Sequence, residues 1–269
     1  MRKGLVAALV ITALAATACR PDAVELAYRF PAGSTLAYEM VSTVHANWDI
    51  GTEGEGSYRV AFDVTEEVIS VDEQGAVVSL DLTRTEVEED NFTPPADSSF
   101  TVRVDQHGAV LEVIEVDGVA ANLLEPEQRS LILTYRPLVA VEPVRLHEEW
   151  DALQEFEGAE FEQLKLVGRL EKLDRDDQGD FAGLSYTGSG PLIGSRELPE
   201  GDAELTGSTS TAGEAIVDLS DGILRTASSS TTYEFDVNVI PEDAANPIAG
   251  TLEIEQDLEL KKVSEQTPE

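Results

Sequence analysis

The chain has 269 residues, with 53 Asp and Glu against 18 Lys and Arg, a formal net charge of −35. Nucleic-acid sites need a basic stripe that displaces counterions from phosphate, so this balance excludes them, and it also repels anionic lipid headgroups. One cysteine, Cys19, rules out an intrachain disulfide, and the three histidines, His45, His107 and His147, are scattered.

The chain opens with Arg2 and Lys3, an apolar run from Leu5 to Leu14, and the small residues Ala15, Ala16, Thr17 and Ala18 directly before Cys19. This is the layout of a secretory signal, and its apolar stretch is shorter than the ~20 residues a membrane span needs. A cysteine at the cleavage site resembles the bacterial lipobox. The resemblance implies removal of residues 1–18, diacylation of the Cys19 thiol and membrane attachment through that lipid. Two or more acyl chains suffice for stable anchoring. Removal takes two bases and no acid, so the mature chain is more acidic still. Residues 19–24 then form a short tether. With no Asp after Cys19, the resemblance also implies delivery to the outer membrane in a host that has one.

Beyond the tether the dominant period is two, as half-buried antiparallel strands require. Tyr58, Val60, Phe62 and Val64 alternate with Ser57, Arg59, Asp63 and Thr65, and the phase shifts near Glu66 and Glu67, which predicts a bulge there. Asp72 to Gly75 and Asp105 to Gly108 read D-x-x-G, a hairpin signature in which Asp bonds its own backbone and Gly takes a left-handed conformation. Between 118 and 135 the apolar spacing becomes helical, with Asp117 as cap and Pro126 at a first helical position, which predicts a short helical crossover. Asp176 to Gly179 and Asp218 to Gly222 repeat the turn signature in the second half. Tyr233, Phe235, Val237 and Val239 alternate with Thr232, Glu234, Asp236 and Asn238, and Leu252 to Leu260 alternates with acids, Gln256 alone breaking the inner face. The order of turns suggests a duplicated unit, residues 34–116 against 147–236. The expected fold is all-β and mainly antiparallel, with one or two short helices. It is a single domain over 25–263 built on a curved sheet, half-barrel or barrel-like, and 264–269 form a disordered tail.

The opening Leu26 to Gly33, with Tyr28, Arg29, Phe30 and Pro31, then Tyr38 and Met40, a helical middle, and Pro143-Val144 leading to Trp150, resemble a family of predicted bacterial lipoproteins with no assigned activity. That family has a glycine-acid turn before the tryptophan, whereas this chain has His147-Glu148. More distantly, the plan is similar to lipid-carrier lipoproteins whose sheets hold acyl chains.

Catalytic and metal motifs are poorly supported. His147-Glu148 starts like a zinc-protease helix, but Asp151 stands where the second histidine is needed, and Trp150 with Leu153 fits a strand. No G-x-S-x-G is present. Asp174, Asp176, Gln178 and Asp180 space oxygens like the start of a calcium loop, but Ser185 replaces the bidentate glutamate, so the segment reads as a solvated hairpin tip. The scattered acids read as a solvated coat rather than a cation site, and no cofactor is implied.

The favoured reading is a non-enzymatic, extracytoplasmic, lipid-anchored binder or carrier of an apolar ligand such as a lipid. Candidate cavity or core residues are Tyr38, Met40, Tyr58, Phe62, Tyr233 and Phe235. The alternatives are an adaptor presenting an acidic surface to an envelope protein or the cell wall, and, least favoured, a hydrolase using scattered carboxylates.

Overall fold

Alternation of apolar and polar residues along most of the chain produces one antiparallel sheet. The computed structural model describes residues 23–123, 136–155, 163–198, 201–240 and 247–266. Its strands are β1 (Thr35–Ile50), β2 (Glu53–Asp72), β3 (Gly75–Asp90), β4 (Ser98–Val104), β5 (Val110–Val116), β6 (Val119–Ala120), β7 (Glu149–Glu155), β8 (Gln163–Asp176), β9 (Gly179–Leu198), β10 (Gly201–Asp218), β11 (Leu224–Ile240) and β12 (Ile248–Gln266). They lie in the order β6-β5-β4-β3-β2-β1-β12-β11-β10-β9-β8-β7. Every neighbour is therefore the next strand in sequence, except at the centre, where β1 pairs with β12 and joins the two ends of the domain. The sheet is curved like a half-barrel and does not close.

All four Asp-initiated turns are hairpins at the same end of the sheet. In each, the aspartate Oδ1 accepts the backbone N–H two residues on, from Gln74, His107, Gln178 and Ser220. The segments expected to form a duplicated unit hold β1 to β5 and β7 to most of β11.

The expected helical crossover begins differently. Asp117 (φ 49°) and Gly118 (φ 77°) close a two-residue turn between β5 and β6, and Ala121–Leu123 is a single 3-10 turn. Two successive positive φ angles suit a tight hairpin and not a helix start. Asp117 does act as an acceptor, but for Ser98 Oγ and Ser99 N on β4. The remainder of the expected crossover, 124–135, lies outside the described residues. At the other end β12 runs on to Gln266, opposite Thr35, so Ser264 to Gln266, expected in a tail, are strand.

The predicted bulge falls at Ile69, between Val68 and Ser70, a little later than the phase change suggested. Glu66 is not the break. It faces inward opposite Leu36 and is fully buried. Arg136, also buried, donates to its carboxylate and lies over the rings of Tyr28 and Phe30, at 4.9 and 5.1 Å.

Arg136 belongs to one of two irregular segments that cover the inner face at the turn end. The segment before β1 contributes Leu26 and Tyr28, and the segment before β7 contributes Val139, Ala140 and Val144. All pack on Tyr38, Phe62, Leu170, Val217 and their neighbours. Each fully buried aliphatic side chain of this kind contributes about 1.5–3 kcal/mol. The two segments are tied together by reciprocal backbone bonds between Val24 and Val144 (2.8 and 3.0 Å) and by Tyr28 OH donating to Pro137 O.

Both covering segments enter their strands through the same turn. Ser34 N donates to Pro31 O, with Gly33 at φ 78°, and Glu148 N donates to Arg145 O, with His147 at φ 65°. Gly33 N donates to Val68 O and Val68 N to Ser34 O. Likewise His147 N donates to Leu170 O and Leu170 N to Glu148 O. A bulge follows each anchor residue, after Val68 and after Leu170. His147 thus holds a left-handed position that costs a side-chain-bearing residue about 1–2 kcal/mol.

His147→Gly should stabilise the fold by about 1 kcal/mol in urea unfolding, because the contact it loses, to Glu171 at 3.7 Å, is exposed and worth little. Arg136→Ala should cost about 3–5 kcal/mol, since it leaves the Glu66 carboxylate buried without its cation. Replacing both by Met and Leu should recover most of that loss.

Candidate functional site

Register places the inner positions of five adjacent strands in one array: 182–194 on β9, 203–217 on β10, 227–239 on β11, 250–260 on β12 and 36–50 on β1, taken alternately. None of these inner positions carries an acid, in a chain with 53 acids, and bases join the face only at its ends, where register sets Arg196 opposite Ala203 and Lys262 opposite Tyr38. The acids of β12, Glu253, Glu255, Asp257 and Glu259, all stand on the other face. This is the alternation of a one-sided sheet, and it concentrates the uncharged surface on the inner face.

The inner surface has three zones. At the turn end lies the apolar cluster under the covering segments, with Tyr38, Met40 and Phe62 buried in it and Tyr58 packed against it. Towards the other end, Leu192, Leu205, Phe235, Val237 and Val239 form a second apolar cluster, with Tyr233, Leu252 and Ile254 at its border. All six aromatic and methionine residues singled out in the sequence therefore face inward, but in two clusters and not in one pocket.

Between the clusters runs a polar belt that the sequence reading did not single out. Tyr233 OH donates to Gln256 Oε1 (3.3 Å), and Gln256 Nε2 donates to the buried Ser42 Oγ (3.2 Å). Thr231 Oγ1 donates to Thr211 Oγ1 (2.9 Å), and Tyr186 OH to Ser228 O (3.2 Å). Gln256, the apparent fault in the β12 pattern, is the link that crosses from β11 to β1. Burial pushes the phenols of Tyr58, Tyr186 and Tyr233 up, Tyr233 to about 12, so all three remain neutral donors at neutral pH. Hydrogen bonds to Ser42 and Ser229 offset part of the rise at Tyr58 and Tyr186.

Small residues make room within the belt. Gly188, Gly190, Gly207 and Gly213 occupy inner positions of β9 and β10. At Gly213 a Cβ would collide with the Tyr186 ring, and at Gly188 with Leu166, so these two glycines let neighbouring side chains lie flat on the sheet. Thr209 stands among them, opposite Gly190 and Tyr233. It is only 4% exposed. The strand segment Gly207 to Gly213 was legible as small. What went unread was that its alternate hydroxyls share one face with Ser42 and Gln256.

The calcium-like turn is taken up by bases. Asp174 meets Lys172 (2.7 Å), Asp176 meets Arg225 (2.9 Å), and Asp180 meets Arg175, while Gln178 offers its backbone N–H to Asp176. No group of three or more metal-ligating side chains occurs among the described residues. Arg225 also holds Asp218 (2.6 Å). Burial pushes the Asp218 carboxyl up, but hydrogen bonds from Ser220, Arg225 and Asp221 N outweigh it and hold the group at about 2. Cys19 lies outside the described residues. His45 is exposed, and His107 sits in its turn with Asp105.

No family model and no curated protein matches this chain. Among solved structures it is similar to one titled lipid-protein interactions in lipovitellin, at 12% identity and a TM-score of 0.46. That likeness covers 90% of this chain and 26% of the other, so the chain spans about a quarter of that protein. It is also similar to Pseudomonas aeruginosa OccK2 (OpdF) in complex with glucuronate, at 7% identity and a TM-score of 0.20, covering 88% of this chain and all of the other.

The Asp218 cluster generates a pH dependence. Its folded-state value, about 2, lies below the ordinary 3.8, so its stabilisation is complete above pH ~4 and is lost as pH falls towards 2. Thermal unfolding followed between pH 5 and pH 2 should show a falling midpoint, and Asp218→Asn should start lower and fall less steeply.

Proposed function

We propose that this chain is a lipid-anchored, extracytoplasmic protein of the bacterial envelope that binds an apolar ligand, a lipid, on the inner face of its sheet without acting on it chemically. One observation carries the reading: five adjacent strands present an inner face without acids and with bases only at its ends, in which glycines and short hydroxyl residues separate two apolar clusters. Binding surfaces for apolar molecules are mostly apolar, with a few placed polar groups that fix orientation. Anchoring rests on the leader and Cys19. A tether of a few residues would keep the turn end of the sheet, where the covering segments lie, close to the membrane.

The adaptor reading draws on the outer face, where Glu234 stands directly opposite Glu253. Like charges in that position oppose folding, so a partner or cation that neutralised them would bind with a gain.

Two measurements test the proposal. Metabolic labelling with a radioactive fatty acid should mark the wild-type chain and not Cys19→Ala, which should also retain its leader; equal labelling would remove the anchor. The domain from Arg20 onward, taken from a bacterial host into native mass spectrometry, should carry extractable adducts of lipid mass. A single ligand-free mass, with no retention of added lipid, would favour the adaptor.

A further inference from the structure

The geometry points to the open edge of β7 as a docking site for an extended peptide strand of another protein, with basic residues on its outward face and apolar ones on its inward face. The inference stands apart from the lipid-binding reading and starts from the repeat within the sheet. β7 leaves the His147 turn as β1 leaves the Gly33 turn, and each pairs with the strand after it beside the same kind of anchor bonds. On its other side β1 is paired from Thr35 to Ile50 by β12, the strand that follows β11. In the first half the strand in that place is β6, which follows β5 and consists of Val119 and Ala120 alone. What β12 supplies to β1 is therefore not supplied to β7, which ends the sheet and makes no backbone bond on its outer side to any described segment. Half of a strand's amide and carbonyl groups point to each side, so this edge presents donors and acceptors to an incoming strand. Edges are ordinarily blunted by brevity, lysine, proline or a bulge. β6 is blunted by brevity. β7 runs unbroken over Glu149–Glu155, with no lysine, proline or register shift.

Charge decides the occupant. Register puts Glu149, Asp151, Leu153 and Glu155 on the outer face of the sheet, and Trp150 and Ala152 on the inner one. A second copy of β7, paired antiparallel with its faces matched over most of the strand, would set Glu149 opposite Glu155, Asp151 opposite Asp151, or Asp151 opposite Glu155, according to register. Like charges directly opposite oppose pairing, so the edge is guarded against its own kind. Against a basic strand it is not guarded. Glu149 and Asp151 are exposed, and neither forms an ion pair among the described residues. On β8, Arg169 stands opposite Glu149 and Lys165 opposite Leu153. Bases on β8 and acids on β7 thus alternate across the sheet, and a strand with outward bases continues the order. On the inner side Trp150 lies flat over Gly168 and Ala152 is small, which leaves room for apolar side chains of modest size. The formal charge of −35 draws such a peptide towards the chain from a distance.

The test uses the full-length chain in a neutral detergent and a fluorescent peptide of alternating lysine and valine that matches β7 in length. A peptide of the same composition, with its lysines in one block, controls for plain attraction to an acidic surface. The alternating peptide should bind about tenfold more tightly or better. Methylating its lysine amides removes the backbone donors on one side of the strand, and methylating its valine amides removes those on the other. One of the two should abolish the advantage and the other should keep it. Asp151→Lys should cut the advantage severalfold without lowering the melting midpoint, whereas Glu255→Lys, an equal change of charge on β12, should leave it intact. Amide hydrogen exchange should place the protection gained with peptide on β7 and β8. Equal binding of the two peptides, equal effects of the two methylations, an unchanged advantage in Asp151→Lys, or protection gained on other strands would overturn the proposal. Slow exchange at every β7 amide of the free chain would overturn it as well, since another part of the chain or a second copy would then hold the edge. None of these outcomes bears on lipid retention, which is read separately by native mass spectrometry.

Discussion

The ion pair between Arg136 and Glu66 holds the rest of the arrangement in place. An open sheet whose inner face is apolar must cover that face, and here the described cover consists of two irregular segments with little regular structure of their own. Arg136 fastens one of them to the turn-end half of β2, and the rings of Tyr28 and Phe30, from the other segment, flank its guanidinium. A single cation thus links both covers to the sheet. Because both charges are buried, the pair need not add much net stability over an apolar substitute. Its consequence is specificity of position, since either charge without the other is costly.

That fastening divides the inner face. At the turn end the covers exclude ligand by occupying the surface themselves. Beyond them the face continues first as the belt of hydroxyls and then as the second apolar cluster. The convex face carries the acids, and across the β11–β12 pair these even oppose one another, which a sheet built only for stability would avoid. The binding reading and the acidic coat therefore belong to opposite faces of the same strands, separated by the two-residue period.

Two glycine substitutions of opposite kind show how finely the backbone is specified. Where the first half uses Gly33 in a left-handed turn, the second half uses His147 in the same turn, held by the same pair of backbone bonds to the next strand. The hydrogen bonds fix the conformation, and the side chain tolerates it. Within the sheet, Gly188 and Gly213 act through volume instead, each receiving a neighbour's side chain.

The strands, their polarity and the four Asp-led hairpins were legible in the sequence because each depends on residues near one another: alternation within a strand, and an aspartate two residues from the N–H it binds. The apparent helix start at Asp117 misled because Asp serves equally as a helix cap and as a turn residue, and only the following positive φ angles distinguish them. Glu66 looked like a break in the pattern, since nothing local announces that a cation seventy residues later will be buried against it. The belt was hidden for the same reason. Ser42, Thr209, Thr231 and Gln256 are unremarkable in their own segments. They share one face because β1 and β12, from opposite ends of the domain, pair at the centre of the sheet. Local chemistry determined the elements and which side of each is dry; pairing between distant strands decided which residues meet there, because a contact of that kind is fixed by register and by nothing in the intervening chain.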